Sequence, residues 1–414
     1  MKKMKRSLSF IAGLVLVLGL VFNQANTTFA AINESKPSLS EVTNLAKETA
    51  SYVLSEDSAL LTSVSSSSEF RTISRDLILA NQVGLDVTRQ IDTFLETAKT
   101  LFADGGLLNE ASNTSGYYAA NYAELIELVN ITNQDASNFN GVNLYAAFND
   151  SLKDVTVANL SDSNYFNPYL ISEIHACLSS YSANLTDYET INANLNEAVM
   201  TITDANGVVY WGYSADNDAN VLSGFTDFYN SNSEFAAIID SLVAKHTSTT
   251  ATSDGTVYTD PETGAVYSWG ALNPDSTALS LAFLSEYGDE TAAAIKYNAL
   301  VENFKSTTTA GAFTYYGDDS IYSSRDALTG LAAYLQYGNL VDATVDTNTE
   351  TETATANTVE ASQVAANQDT VSTSETSASD VKAADNSMAN VFVILMAASA
   401  VLLVVTTKKN AEVK

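Results

Sequence analysis

The chain has 414 residues, of which 46% are hydrophobic, and this is enough apolar material for at least one full core. Its 19 basic and 49 acidic residues give a formal net charge of −30, which would repel the phosphates of nucleic acids. Nucleic acid is therefore excluded as an expected partner. The single cysteine, Cys177, permits neither an intramolecular disulfide nor a multi-thiolate metal site.

Residues 1–30 have the pattern of a secretory signal peptide. Four basic residues between positions 2 and 6 precede an apolar run from Ile11 to Phe22, and the segment ends in Thr28-Phe29-Ala30. A basic start, an apolar middle and a small residue at the end are the three parts of such a signal. We therefore predict cleavage after Ala30 and export of the chain that follows.

From residue 31 to residue 342 the sequence predicts one folded domain built from a diverged repeat of about 50 residues. Three similar segments mark the repeat, and their glycines are 58 and 47 residues apart: Val209-Tyr210-Trp211-Gly212, Val266-Tyr267-Ser268-Trp269-Gly270 and Phe313-Thr314-Tyr315-Tyr316-Gly317. Each marker precedes a helix that is apolar almost all round, which is typical of a helix buried on most sides.

Amphipathic helices alternate with these apolar ones along the whole domain. The apolar, inner helices are expected near 73–83, 118–129, 169–181, 221–229, 278–284 and 327–335. Their amphipathic, outer partners are expected near 40–54, 91–102, 142–152, 190–201, 235–245 and 291–305. Short β-hairpins would join some pairs, as in Thr203–Val208 with Asn206-Gly207 as the turn. Six outer and inner pairs predict an all-α fold, a six-hairpin α/α toroid.

Two segments in the last third of the domain are informative: Asn273-Pro274-Asp275-Ser276-Thr277-Ala278-Leu279 and Gly317-Asp318-Asp319-Ser320-Ile321-Tyr322-Ser323-Ser324-Arg325-Asp326-Ala327-Leu328. They resemble the repeats of bacterial surface proteins in the prenyltransferase and squalene-oxidase-like toroid superfamily. The first half matches only in the rhythm of its helices and in residues 70–87. The resemblance implies a six-hairpin toroid, a fold that includes terpene cyclases, protein prenyltransferases and cobalamin carriers, so it does not settle the function.

Residues 343–387, which follow the domain, predict a disordered acidic stalk. They hold ten Thr, six Ser and eight acidic residues but no aromatic residue, so they have nothing with which to build a core. A flexible chain of this length has an end-to-end distance of order 40 Å, so it would hold the domain away from the membrane.

A second apolar segment, residues 388–407, predicts one transmembrane helix. It carries no charge between Val391 and Val405, and at about 1.5 Å per residue it spans roughly 30 Å. Lysines at positions 408, 409 and 414 follow it, which places the basic tail 408–414 in the cytoplasm. The expected location is the cell membrane, in a single pass, with the N-terminal domain extracellular.

The C-terminal segment also resembles the sorting signal of wall-anchored proteins from Gram-positive bacteria, in which a short motif, an apolar span and basic residues follow in order. Where such proteins carry L-P-x-T-G, this chain has Asp380-Val381-Lys382-Ala383-Ala384-Asp385-Asn386. The resemblance implies a Gram-positive source. Because the Thr-Gly peptide that sortase cleaves is missing, we expect retention in the membrane rather than transfer to the cell wall.

Catalytic signatures are weak, and we predict no catalytic residue and no cofactor. The run Asp216-Asn217-Asp218 lacks the final acid of the terpene-cyclase D-x-D-D motif and is expected to precede a helix. His175 and Cys177 lie two residues apart on a predicted helix, so they point in different directions and fit a structural role better than a zinc site. His246 is expected as a cation at the end of an outer helix.

Two binding sites are candidates on residue type alone. Asp216, Asp218 and Asn220 offer alternate oxygens of the kind that calcium accepts, although the glycine and closing glutamate of an EF-hand are absent. The aromatic residues of the markers could form a platform for a sugar or another flat ligand if their loops share one rim. Those candidates are Trp211, Tyr213, Trp269, Tyr315 and Tyr316. The alternative is that these rings wedge adjacent repeats together.

The expected function is that of a membrane-anchored surface protein whose domain binds an extracellular ligand or adheres, without catalysis. The ligand could be a glycan, a small molecule or a protein. One alternative is an extracellular carbohydrate-active enzyme, a hydrolase or lyase, with two carboxylates facing each other in the toroid cleft. A further alternative is a scavenger of a corrinoid-like small molecule, although no second, β-rich domain follows to close over such a ligand.

Overall fold

The structure is a computed structural model that describes residues 32–103, 106–109 and 117–342. This part of the chain is mostly helical, with only short strands and no closed sheet. The predicted signal peptide (1–30), stalk (343–387), transmembrane segment (388–407) and tail (408–414) lie outside it. Within the described ranges no helix combines the length and the apolar character that crossing a membrane requires.

The described helices follow one another in a regular alternation. They are α1 (Leu39–Glu56), α2 (Ser67–Gln82), α3 (Thr88–Thr100), α4 (Tyr117–Ile131), α5 (Leu144–Leu152), α6 (Val157–Ser161), α7 (Ile171–Ser180), α8 (Tyr188–Ile202), α9 (Ala215–Leu222), α10 (Thr226–Ser231), α11 (Ser233–His246), α12 (Pro274–Tyr287), α13 (Glu290–Phe304) and α14 (Ile321–Tyr337). The strands form three antiparallel hairpins: β1 (Thr203–Asp204) with β2 (Gly207–Val208), β3 (Tyr267–Ser268) with β4 (Ala271–Leu272), and β5 (Phe313–Tyr315) with β6 (Asp318–Ser320).

Six of these helices form a continuous series of neighbours. Helix α2 packs on α4, α4 on α7, α7 on α9, α9 on α12, and α12 on α14, and α14 then packs back on α2. The other long helices flank this series. Helix α1 packs on α2 and α14, α3 and α5 pack on α4, α8 packs on α7, and α11 and α13 pack on α12.

Burial distinguishes inner helix α12 from outer helix α3 as the hydrophobic pattern predicts, whereas the outer helix α13 is buried on most sides, with Lys296 and Asn298 among its buried residues. In α12 every residue from Ser276 to Ser285 is buried, because neighbours cover it on nearly all sides. In α3 the buried residues lie on one face: Ile91, Phe94, Leu95 and Ala98. The inner and outer helices expected from the sequence are therefore present, with one shifted boundary.

That boundary is at α9. The sequence predicts an inner helix near 221–229, whereas the helix spans Ala215–Leu222 and a separate short helix, α10, follows. The prediction was wrong because the Ser214 side chain accepts a hydrogen bond from the backbone of Asn217 and starts the helix in a polar stretch. Gly224, with φ of +83°, then breaks the chain away from helical geometry.

The first predicted hairpin is present, with a one-residue difference. Asp204 pairs with Gly207, so the two turn residues are Ala205 and Asn206 rather than Asn206 and Gly207. Gly207 itself has φ of +123°, and a Cβ there would lie 2.5 Å from Asp218 Oδ1. Glycine is therefore required at this position by both conformation and space.

Helices α12 and α14 approach each other closely at Gly330. A Cβ at this residue would lie 2.5 Å from the backbone oxygen of Ala278. We expect Gly330→Ala to lower the free energy of unfolding by about 1–3 kcal/mol through overpacking, although alanine is the better helix former. Urea unfolding of the purified chain measures this change. The exposed substitution Ser241→Ala on α11 should stay within about 0.5 kcal/mol of wild type, and a neutral Gly330→Ala would contradict the close contact.

Candidate functional site

Three turns with the same unusual backbone precede helices α9, α12 and α14. Their central residues are Trp211-Gly212, Trp269-Gly270 and Tyr316-Gly317, and all six have positive φ, from 52° to 122°. In the second and third turns the flanking residues pair as strands, so these are two-residue hairpins of the type I′ kind. We call the three segments the aromatic–glycine turns.

Each turn is held by the fourth residue of the helix that follows it. Asp218 Oδ1 accepts a hydrogen bond from Val208 N (2.8 Å), Thr277 Oγ1 from Val266 N (2.9 Å), and Ser324 Oγ from Phe313 N (2.9 Å). The acceptor changes from carboxylate to hydroxyl while its position stays the same, so the three repeats share one local design.

In the first repeat an additional side chain fixes the turn. Asn217 Nδ2 donates to the backbone oxygens of Val208, Tyr210 and Gly212 at 2.8–3.2 Å. Its own oxygen accepts from the hydroxyl of Tyr169 at 2.6 Å. The turn that carries Trp211 is therefore rigidly attached to α9.

The aromatic side chains at the turn tips point into solvent. The exposed fractions are 92% for Trp211, 85% for Trp269 and 77% for Tyr316. These rings do not wedge neighbouring repeats together, because a wedged ring would be buried. A bulky residue in the left-handed region costs about 1–2 kcal/mol relative to glycine, and burial of the tip rings does not offset this cost.

The two remaining aromatic candidates are more firmly attached. Tyr213 is 42% exposed, and its hydroxyl donates to Asp204 Oδ2 at 2.9 Å. Tyr315 is half-buried and contacts Tyr316 edge to face, with ring centroids 4.5 Å apart. Both support the tips rather than extending from them.

The three turns lie on the same side of the inner helices, which run parallel there. At the N-terminal ends Ser276 of α12 lies against Asp216 of α9, and Ser323 of α14 lies against Asp275 of α12. At the opposite ends Glu286 of α12 accepts from Gly224 N, just after α9, at 2.9 Å. We call the three turns and these N-terminal ends the turn face.

Three acidic side chains lie behind the turns: Asp216, Asp275 and Asp326. Burial raises the pKa of each, and at Asp326 the charges of Asp275 and Asp216 raise the pKa further. One oxygen of Asp216 and one of Asp275 are buried without a hydrogen-bond partner among the described residues. The group can therefore accept hydrogen bonds from a ligand, and its members are more easily protonated than exposed carboxylates.

The calcium candidates do not converge. Asp218 is fully buried and turned toward Val208 N and His246, Asp216 faces Ser276, and Asn220 lines a different cavity. In the described ranges no group of three or more His, Cys, Asp or Glu side chains is arranged to hold a metal ion. Residues two apart on a helix point in different directions, which explains why their spacing was misleading.

The prediction that His246 is a cation at the end of an outer helix was wrong. This side chain is fully buried, and burial lowers its pKa. It lies between Asp218 Oδ2, 3.1 Å from Nε2, and Ser280 Oγ, 2.8 Å from Nδ1. The three residue types are those of a hydrolytic triad, but all three are buried and inaccessible to a substrate. The network instead joins α9, α11 and α12. No local sequence pattern indicates it, because Asp218 and Ser280 are 28 and 34 residues from His246.

His175 and Cys177 are both buried side chains of α7. The His175 ring stacks on Phe225 with centroids 3.9 Å apart, and the Cys177 thiol is buried. Burial raises the pKa of Cys177 well above its ordinary value, so the thiol is a poor nucleophile or metal ligand.

No protein-family model matches the chain, and comparison with curated proteins and with solved structures finds no significant similarity to any of them. The function has to be argued from the site itself.

Replacing Trp269 by asparagine should stabilise the protein. Asparagine tolerates positive φ and Asn-Gly is the preferred pair for a type I′ turn, while the exposed tryptophan loses little burial. We expect a gain of about 1 kcal/mol in the free energy of unfolding. Alanine lacks the short polar side chain that lets asparagine tolerate the left-handed conformation, so Trp269→Ala should show no such gain. Equal stability of the two variants would contradict the strain argument.

His175 should make the protein less stable in mild acid. Burial lowers its pKa to about 4 in the folded state from an ordinary value of 6.5, so the unfolded chain binds the extra proton between these pH values. From pH 7 to pH 5 the wild type should lose about 2 kcal/mol more than His175→Gln. Urea unfolding at both pH values measures the difference, and a variant with the same pH dependence as wild type would refute it.

Proposed function

We propose that the chain is a membrane-anchored bacterial surface protein whose extracellular domain is a six-hairpin α/α toroid that binds a glycan on the turn face. The observation that carries the binding proposal is the set of three exposed aromatic rings, Trp211, Trp269 and Tyr316, each held in a strained left-handed conformation. Strain of this kind persists where it serves binding or catalysis.

The toroid is supported by the contacts of the six inner helices. Their series of neighbours returns from α14 to α2, so the helices surround a common axis. One cavity of about 350 Å³ is lined by residues from all six. The first and last described helices are also in direct contact, since α1 packs on α14. The membrane anchor and the extracellular location rest on the sequence patterns at the two ends of the chain.

Glycan is the ligand class that best fits the chemistry of the turn face. Flat aromatic rings that project from a rigid support can stack on the apolar faces of sugar rings, and the carboxylates behind them can accept hydrogen bonds from hydroxyl groups. The ring of Trp211 is braced from behind, because it stacks on Tyr210 with centroids 4.9 Å apart. A flexible chain of sugars could contact several tips at once.

A second candidate is a carbohydrate-active enzyme, and the acidic group behind the turns favours it. Glycoside hydrolysis uses one carboxylic acid that is protonated and a second that is ionised. Asp326 is a candidate for the acid, because burial and then the charges of Asp275 and Asp216 raise its pKa well above the ordinary value. Our first proposal is binding, since the exposed tips require no chemistry to explain them.

The glycan proposal predicts a specific pattern among substitutions at the tips. Glycans that bind the full-length chain on an array should bind Trp211→Ala and Trp269→Ala about fivefold more weakly, because each ring contributes on the order of 1 kcal/mol of contact. Trp269→Tyr should retain binding, since the third turn carries a tyrosine at the same position. Isothermal titration calorimetry in detergent gives the dissociation constants.

Two results would count against parts of this proposal. If no glycan binds, or if the alanine variants bind as tightly as wild type, the turn face is not a glycan site. If a bound glycan is instead shortened during incubation, and Asp326→Asn stops the cleavage, the enzyme candidate replaces the non-catalytic one.

A further inference from the structure

The cavity between the inner helices is a second possible binding site, and it lies away from the turn face. Residues at or near the C-terminal ends of the helices line one part of it: Gln82, Ser180, Gly224, Gln336 and Tyr337. Three charged residues also line the cavity: Arg75 of α2, Glu124 of α4 and Glu173 of α7. The volume of about 350 Å³ suits a small molecule.

Glu124 is an unusual residue to find in this position. Its side chain is 4% exposed, and neither carboxylate oxygen accepts a hydrogen bond from any residue that the structure describes. The Arg71 Nε atom lies 3.7 Å from Glu124 Oε1, while the Arg71 guanidinium donates at 2.6 Å to Glu173. A buried carboxylate without hydrogen bonds is costly, and burial raises the pKa of Glu124 well above its ordinary value. An ammonium group from a ligand would favour the ionised form and supply the missing donor.

Arg75 provides the opposite charge in the same cavity. Its Nη1 atom donates to Glu173 Oε1 at 3.3 Å, which is the one hydrogen bond that it makes with the described residues. The side chain is 37% exposed, so other N–H groups of its planar fork remain available to a carboxylate. The cavity is thus lined by one acceptor without a hydrogen bond, Glu124, and by one donor with N–H groups to spare, Arg75.

A ligand with a single charge fits this pair poorly. A simple cation would meet Glu124 but would be repelled by Arg71 and Arg75, and a simple anion would meet Arg75 but would be repelled by Glu124 and Glu173. A molecule that carries both charges on neighbouring atoms can satisfy both groups. Apolar walls, formed by Leu79, Leu279, Ala282 and Ala332, could accept a short aliphatic side chain.

We propose that this cavity binds an α-amino acid, with its ammonium group on Glu124 and its carboxylate on Arg75. This site is separate from the turn face and does not depend on glycan binding there.

Three probes of similar size separate the charges of the ligand. Leucine carries both charges, 3-methylbutylamine lacks the carboxylate, and 4-methylpentanoate lacks the ammonium group. Calorimetry on the full-length chain in detergent at neutral pH, with glycine and alanine included, should show that at least one amino acid binds. Leucine should bind at least tenfold more tightly than either of its two analogues.

Substitutions test whether Glu124 binds the ammonium group of the ligand and Arg75 its carboxylate. Glu124→Gln should weaken leucine binding at least tenfold and leave 4-methylpentanoate unchanged or tighter. Arg75→Gln should weaken leucine binding and leave 3-methylbutylamine unchanged or tighter. Ala282→Leu should block all ligands by filling the cavity, without a change in charge. The matched control is Glu197→Gln, an exposed acid on α8, which should bind leucine as wild type does.

Three results would overturn the proposal. The first is absence of binding to all three amino acids by a chain whose circular dichroism shows it to be folded. The second is an analogue that binds as tightly as leucine, which would make the cavity a cation or anion site. The third is undiminished leucine binding by folded Glu124→Gln or Ala282→Leu.

Discussion

The contact of helix α14 with helices α1 and α2 is the constraint on which the rest of the structure depends. Arg325 of α14 forms ion pairs with Asp57, just after α1, and with Asp76 of α2. The backbone at Gly311 lies so close to α1 that a Cβ there would be 2.2 Å from Glu48 O. Contacts between residues more than 240 positions apart therefore fix the first two described helices against the last one.

Asp76 shows how strongly this contact depends on its charges. The carboxyl is almost completely buried, and burial followed by the neighbouring Asp57 raises its pKa, while the nearby Arg325 lowers the pKa and so favours the ionised form. Removing the arginine would leave a buried acid without its cation, and an uncompensated buried group of this kind is strongly destabilising. The turn face depends on the same contact, because α14 carries the third of its aromatic–glycine turns.

The turn face combines local strain with rigid support. Its tip residues have backbone conformations that glycine or asparagine would adopt at lower free energy. Hydrogen bonds donated by Asn217 and accepted by Thr277 and Ser324 hold the surrounding backbone in place. Sites that bind ligands often retain such conformations at the expense of stability. The exposed tip residue in a left-handed conformation is therefore the common reason why asparagine at position 269 should stabilise the protein and why alanine there should weaken glycan binding.

The sequence predicts the helices well because their hydrophobic periodicity is local, and α12 with its Asn273 cap and first-turn Pro274 follows that pattern closely. It fails at α9, where the polar run from Asp216 to Asn220 resembles a loop and a serine cap decides the outcome. The prediction for His246 was also wrong, and no sequence pattern indicated Glu124. Their environments are set by residues distant in sequence, such as Ser280 for the first and Arg71 and Glu173 for the second, and no local pattern reports such contacts.

The tip aromatics were identified as candidates from the repeat alone, but their positive φ angles and exposure were not predictable. An aromatic residue before glycine is compatible with a buried wedge as well as with an exposed tip. A two-residue turn points the side chain outward and so distinguishes an exposed tip from a buried wedge. The pairing of the flanking strands, which shows that the turns have two residues, is seen only in the structure.

The most direct test of the turn face uses the chain's own fluorescence, because its two tryptophans are both tip residues. Acrylamide should quench the emission of the folded full-length chain almost as efficiently as that of a free tryptophan derivative. A saturating concentration of a glycan that binds should shift the emission to shorter wavelength and reduce quenching. Tryptophans that are already shielded in the free protein, or that remain fully quenchable with the glycan bound, would contradict a turn face that binds through its exposed rings.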